Sequence, residues 1–289
     1  MEVGLLMLVG GIAAGAFGSL LGLGGGLLIV PLLTFGFGLP LREAVGVSLV
    51  CVIVTSSAAA GVFLERRQAN LRLGMVLELF TAIGAIGGGL VAFLIDERLL
   101  AALFAVLLVY VAFTMLRDRS SATPEGSPPA DAAAAAGTGP GDGAAPLPPI
   151  ALPTRFPWLS LPGSPPLRRF PAGIVGSIGA GIVSALLGVG GGIVKVPVMH
   201  LVMGVPLRVA TATSNLMIGI TASASAMVYL LRGSIDVNAA GPTAVGVFVG
   251  ATIGSRLGGR VDLRVLRLLF VAVLLFTAFE MARRAAGLA

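Results

Sequence analysis

Long uncharged runs dominate the chain. Val3 to Leu41 carries no charge, Ala44 to Leu64 carries none, Leu73 to Ile95 is interrupted only by Glu78, and Leu99 to Leu116 is again uncharged. A helix of about 20 apolar residues crosses a bilayer core, so each run predicts a membrane segment. The first run is too long for one simple helix and too short for two full spans with a loop. Gly22-Leu23-Gly24-Gly25-Gly26 stands near its middle, with Pro31 and Pro40 beyond. Glycine clusters and prolines break helices, and a discontinuous or hairpin segment is expected there. Met1-Glu2-Val3 lacks the basic region of a cleaved secretory signal, so the first run reads as a retained span.

The pattern then stops and starts again. Residues 118 to 170 hold 12 of the 18 prolines and an Ala/Gly stretch from Ala132 to Ala145, the composition of a flexible linker. This divides the chain into 1–117, a linker at 118–169, and 170–289. Shifting the sequence by 166 positions superposes the two flanks without a gap: Gly15 on Gly181, Leu20 to Gly22 on Leu186 to Gly188, Gly24 to Gly26 on Gly190 to Gly192, and Pro31 on Pro197. Pro40-Leu41-Arg42 falls on Pro206-Leu207-Arg208, Ser48 on Ser214, Thr55 on Thr221, Gly84 on Gly250 and Asp96 on Asp262. From Val9 to Arg117 there are 39 identities in 109 positions. A gapless match that includes Gly, Pro, Arg and Asp implies an internal duplication, a feature of many secondary transporters.

Composition narrows the class. Of 289 residues, 56% are hydrophobic and 11% charged, with mean hydropathy +1.02; a soluble domain carries about 25% charge. A soluble enzyme, a nucleic-acid binder and a disulfide scaffold are poor readings. The net charge of +6 comes from arginines scattered singly between apolar runs, which in a membrane protein reports orientation. Their placement is informative. Arg66, Arg67 and Arg72 follow the second run of the first half, where the second half has only Arg232; one loop later the first half has Arg98 and the second has Arg256, Arg260, Arg264 and Arg267. The basic loop has changed face, as expected if the halves are inverted, each crossing an odd number of times.

Candidate chemistry is sparse. Cys51 and His200 are single, so neither an internal disulfide nor a His- or Cys-rich metal site is expected. No metal and no cofactor is predicted. The spans offer no paired carboxylates and no Ser/His/Asp set, so no enzyme is expected. The glycines read two ways. They could serve close helix packing, since small residues let backbones touch in lipid. The matched breaks at Gly22, Gly24, Gly25 and Gly26 and at Gly188, Gly190, Gly191 and Gly192 read more sharply as a central site, because a broken membrane helix exposes N–H groups that suit an anion. Hydroxyls could bond the backbone one turn back or serve as neutral donors to an oxyanion. The candidates are Ser48, Thr55, Thr213, Ser214 and Thr221, together with the amide of Asn215. Lys195 is the only lysine and replaces Ile29 of the first half. It is a candidate for charge balance if deep, or a snorkelling residue if shallow. Glu78, aligned with Ala244, and His200, aligned with Thr34, are coupling candidates. Arg42 and Arg208 each follow a proline and read as headgroup anchors or as attractors of anions.

The run Gly15 to Gly26, then Pro31, then Ala44-Val45-Gly46-Val47-Ser48-Leu49, resembles the TauE/SafE sulfite exporter family. The second copy, Gly188 to Gly192 with Pro197 and Ala210 to Ser214, matches the same signature. The resemblance covers both halves. It implies a multi-pass carrier of the bacterial inner membrane for sulfite or a related organosulfur or sulfonate anion. Val47 stands where the family's Thr-Ser pair, kept here as Thr213-Ser214, has its threonine. The expectation is an all-α polytopic protein of two inverted repeats, each of about four helical segments with the first broken at glycine. It would rock one half against the other to move a small anion. The expected partners are the lipid bilayer, the anionic substrate and a second copy in a homodimer, and no nucleic acid. An ion channel or cation carrier, and a non-transporting scaffold subunit, are the alternatives.

Overall fold

A computed structural model describes residues 2–20, 26–65, 71–117, 170–257 and 263–287. Every regular element among them is helical. The first-half helices are α1 (Glu2–Leu20), α2 (Gly26–Pro31), α3 (Leu41–Glu65), α4 (Leu71–Leu94) and α5 (Glu97–Arg117). The second half supplies α6 (Phe170–Leu187), α7 (Gly192–Pro197), α8 (Leu207–Leu231), α9 (Val237–Leu257) and α10 (Leu263–Ala285). Among the described residues each half therefore shows five helices, its first apolar segment being described as two. Among these, α4, α5, α6, α8 and α9 contain stretches long and apolar enough to cross a bilayer. The chain is a multi-pass helical membrane protein. The expected linker at 118–169 and the glycines at 22, 24 and 25 lie outside the described residues.

Proline sets the local geometry of both split segments. Pro31 ends α2 and Pro197 ends α7, and each is followed by a wider π-helical turn, Leu32–Gly36 and Val198–Val202. Proline removes a backbone donor, so the hydrogen-bond ladder must change register there. The two turns close alike: Leu39 N–H donates to the Leu33 carbonyl and Val205 N–H to the Met199 carbonyl, at 3.1 and 2.9 Å. Gly38 and Gly204 then take φ of 69° and 75°. The next helices start on prolines whose carbonyls accept the first helical bonds, Ala44 N–H to Pro40 and Ala210 N–H to Pro206. Glu97 Oε1 accepts the Leu41 N–H at 2.8 Å, satisfying one donor that the first turn of α3 leaves open.

The principal seams join one half to the other. α1 packs on α9, α4 on α6, α3 on α8 and α5 on α10. Exchanging each helix with its aligned counterpart leaves that set unchanged. Two seams are built from glycine. Gly11 faces Thr243, Gly250 faces Ile12 and Gly254 faces Ala16, so α1 and α9 run in the same direction. Gly84 faces Ile178 and Gly88 faces Ile182, so α4 and α6 do likewise. A Cβ on Gly88 would stand 2.6 Å from Ile182 Cα; here small residues do let backbones touch. The other two seams run the opposite way. Gly46 faces Ser234 and Gly219 faces Ser56, so α3 and α8 cross antiparallel. Ala105 to Val109 of α5 face Leu275 to Ala282 of α10, while Arg98 lies beside Gly287. The outer faces are apolar, with Leu79, Ile83, Leu94, Val106, Phe113 and Phe276 all exposed, the surface that lipid covers.

Candidate functional site

The two split segments meet inside. At the second break Gly188, Gly190 and Gly191 adopt φ of 69°, 78° and 73°, a left-handed conformation that only glycine takes without strain. These angles turn the chain out of α6 and into α7. Ser48 of α3 stands between the segments. Its hydroxyl donates to the Gly188 carbonyl at 2.8 Å and to the Gly26 carbonyl at 3.1 Å, and it is fully buried. A Cβ on Gly26 would lie 3.2 Å from the Gly188 carbonyl oxygen, so the start of α2 touches the break before α7.

Two further hydroxyls flank the break. Ser184 approaches Gly191 and Ser214 approaches Gly192, each with Oγ 3.6 Å from where a Cβ would be. Both are fully buried and neither has a hydrogen-bond partner. A buried hydroxyl without a partner is costly, and these two lie beside the start of the same helix. The α7 start adds backbone donors, since the first N–H groups to bond within the helix are those of Val194 and Lys195, both to the Gly191 carbonyl.

The ionisable candidates gather in a second cluster. The Lys195 ammonium pairs with Glu78 Oε2, and the Thr221 hydroxyl donates to Glu78 Oε1 at 2.5 Å. The three residues come from α7, α4 and α8 and are at most 3% exposed. Lys195 is thus neither snorkelling nor free, and Glu78 is interior rather than interfacial. Charges at such depth persist when paired and hydrogen-bonded.

The remaining candidates are dispersed. Thr55 donates to the Cys51 and Val52 carbonyls of its own helix. The Thr213 methyl packs on Gly74 of α4. Asn215 is half-buried. His200 is exposed, with Nδ1 2.9 Å from the Val205 carbonyl oxygen at the end of the π-helical turn. Arg42 donates to the Ile95 carbonyl at 2.6 Å and lies over the Phe93 ring, which Arg232 also approaches; the Arg208 side chain lies outside the described residues. Cys51 is buried in the core. Among the described residues, no group of three His, Cys, Asp or Glu side chains gathers to hold a metal. Sequence reasoning flagged Glu78, Lys195 and Thr221 separately and missed their union. Ser184 was missed altogether, although it lies four residues before Gly188.

Comparison with known proteins adds a family. The family described as Sulfite exporter TauE/SafE matches residues 7–281. The chain is 21% identical over 286 residues to the "Probable membrane transporter protein YunE" of Bacillus subtilis (strain 168), an alignment covering 96% of each chain. It is 31% identical over 119 residues to the "Probable membrane transporter protein MJ0441" of Methanocaldococcus jannaschii, covering 39% of this chain and 45% of that one. No solved structure matches.

Proposed function

The chain belongs to the sulfite exporter TauE/SafE family of membrane transporters, and on that premise we propose that it is a secondary carrier moving a small oxyanion, sulfite or a related sulfonate, across the bacterial inner membrane. The observation that carries this reading is the second break, where Ser184 and Ser214 hold unpartnered buried hydroxyls against Gly191 and Gly192. Neutral donors beside a helix start suit an anion that must be held and then released. A fixed, uncompensated cation would hold it too long.

The reading includes two inverted repeats. The antiparallel crossing of aligned helices α3 and α8, and of α5 and α10, supports a two-fold axis lying in the membrane plane. The same directions put the end of α3 and the end of α9 on one face, the face to which the basic loops at Arg66 to Arg72 and Arg256 to Arg267 belong. By the positive-inside rule that face is cytoplasmic. In this reading the bodies that move in alternating access are mixed units rather than the two halves of the sequence. The glycine seams tie α1 to α9 and α4 to α6, so each rigid unit contains helices of both halves and rocks against the other around α3 and α8.

The test is uptake of radiolabelled sulfite into proteoliposomes, with sulfate and methanesulfonate as comparators. Saturable sulfite flux that Gly190→Leu removes supports carrier and site together. No flux of any of the three anions from folded protein would overturn the substrate class. Symmetry argues against a cation carrier, since Glu78 has only Ala244 as its counterpart.

A further inference from the structure

The duplicated frame contains its own control for the Glu78–Lys195–Thr221 cluster. The 166-residue alignment equates Lys195 with Ile29, Glu78 with Ala244 and Thr221 with Thr55. Ile29 and Ala244 are both buried. The aligned positions therefore hold two buried apolar residues where the cluster holds two charges. Burying two charges costs several kcal/mol per ion before their attraction is counted, and replacing such a pair by apolar residues of similar size is often neutral or stabilising. An ion pair kept in one copy and absent from the other is there for what its charges do.

We propose that Glu78 is a proton-binding site that couples anion movement to the proton gradient, with Lys195 as the shared counter-ion. This rests on the carrier reading above. With Glu78 ionised, its carboxylate neutralises the Lys195 ammonium and the site holds no anion. When a proton adds to Oε2, the neutral carboxyl releases the ammonium, and an oxyanion at the break, one helical turn away along α7, takes its place. One positive and one negative charge are buried in each state, so the interior never holds an unbalanced ion. The coupling ratio is one proton to one singly charged anion. Thr221 is a positioning residue: its hydroxyl donates to Oε1 and favours the carboxylate over the neutral acid.

No other described ionisable group competes for this role. α6, packed along α4, contains none. On α8 the Tyr229 hydroxyl is spent on the Ala185 carbonyl and Arg232 lies over Phe93 at the far end. Arg72 of α4 and His200 are exposed.

The experiment compares sulfite counterflow, run without a gradient, with uptake driven by an outside-acid pH gradient, using the full-length protein and trapped pyranine to count protons. In the wild type the gradient stimulates uptake and protons enter with the anion. Glu78→Gln, an uncharged stand-in for the protonated acid, keeps counterflow but loses the gradient stimulation and the proton signal. Lys195→Met lowers counterflow by about tenfold or more, the scale of losing a buried charge partner. The double variant Glu78→Ala/Lys195→Ile installs the other repeat's pair, folds as the wild type does, and does not transport. Thr221→Val moves the midpoint of the pH–flux curve upward with the maximal rate kept, a shift that a packing role would not produce, and so provides a reading if Glu78→Gln fails to fold. Undiminished gradient stimulation in Glu78→Gln, or counterflow in the wild type without gradient stimulation, overturns the inference and leaves the carrier standing. No counterflow of sulfite, sulfate or methanesulfonate removes the carrier reading, and this inference with it.

Discussion

Ser48 of the first half holds the Gly188 carbonyl of the second, 140 positions away, at 2.8 Å. The Gly26 carbonyl shares the same hydroxyl proton, so one side chain fastens both split segments. Ser48→Ala leaves two buried carbonyls without it and should cost about 1–2 kcal/mol, the scale for a lost buried hydrogen bond. The expected outcome is a lower melting temperature in detergent together with reduced counterflow. Unchanged values for both would show that the segments do not depend on Ser48.

Gly190 sits at φ 78°, and a Cβ there would lie 2.7 Å from Ile218 and 2.9 Å from Val52. Gly190→Ala combines backbone strain with crowding and should destabilise by about 1–3 kcal/mol. Gly179→Ala, where a Cβ meets nothing within 4 Å, is the matched control and should fall within about 0.5 kcal/mol of the wild type. Thermal unfolding of the pair separates the break from glycines in general.

The Tyr229 hydroxyl donates to the Ala185 carbonyl in the last turn of α6 at 2.9 Å, while its ring packs 5.1 Å from that of Phe93. Tyr229→Phe keeps the ring and removes the donor, so it should cost about 1 kcal/mol. Tyr229→Ala removes both and should cost about 3–5 kcal/mol. A Phe variant as unstable as the Ala variant would place the importance in the hydroxyl rather than the ring.

Asp96 and Asp262 align across the 166-residue shift, and the proposed inversion would put them on opposite sides of the membrane. The native Cys51 is buried, so it gives little background to an impermeant maleimide. Asp96→Cys should label from the periplasmic side and Asp262→Cys from the cytoplasmic side. Labelling of both from the same side would sink the inverted arrangement.

The split first segment was legible because glycine and proline announce backbone geometry locally: Gly22 to Gly26 and Pro31 needed no knowledge of neighbours. The union of Glu78 with Lys195 was not, since the residues lie 117 positions apart and on opposite sides of the linker. The signal was nonetheless present. Both are the charged member of an aligned pair whose other member is apolar, and their signs are opposite. Thr55 and Thr221 show the limit of repeat reasoning. They align, yet Thr221 reaches a carboxylate and Thr55 only its own helix, because the partner and not the position decides what a hydroxyl does. Ser184 and Ser214 could be named as polar residues, but only packing reveals that they lack partners.

The seams also govern how the protein can be made. Since α1, α3, α4 and α5 each find their main neighbour in the second half, a nascent chain that has reached Arg117 has inserted its first helices with no interior to close around them. Ser48 and Glu78 then face lipid or the insertion machinery until α6 to α8 arrive. Gly84 and Gly88, the small residues that admit α6, leave an open groove on α4 in the meantime. Biogenesis is therefore a delayed interlocking of two unfinished parts, and the first 117 residues expressed alone would be a substrate for membrane proteases rather than a folded domain.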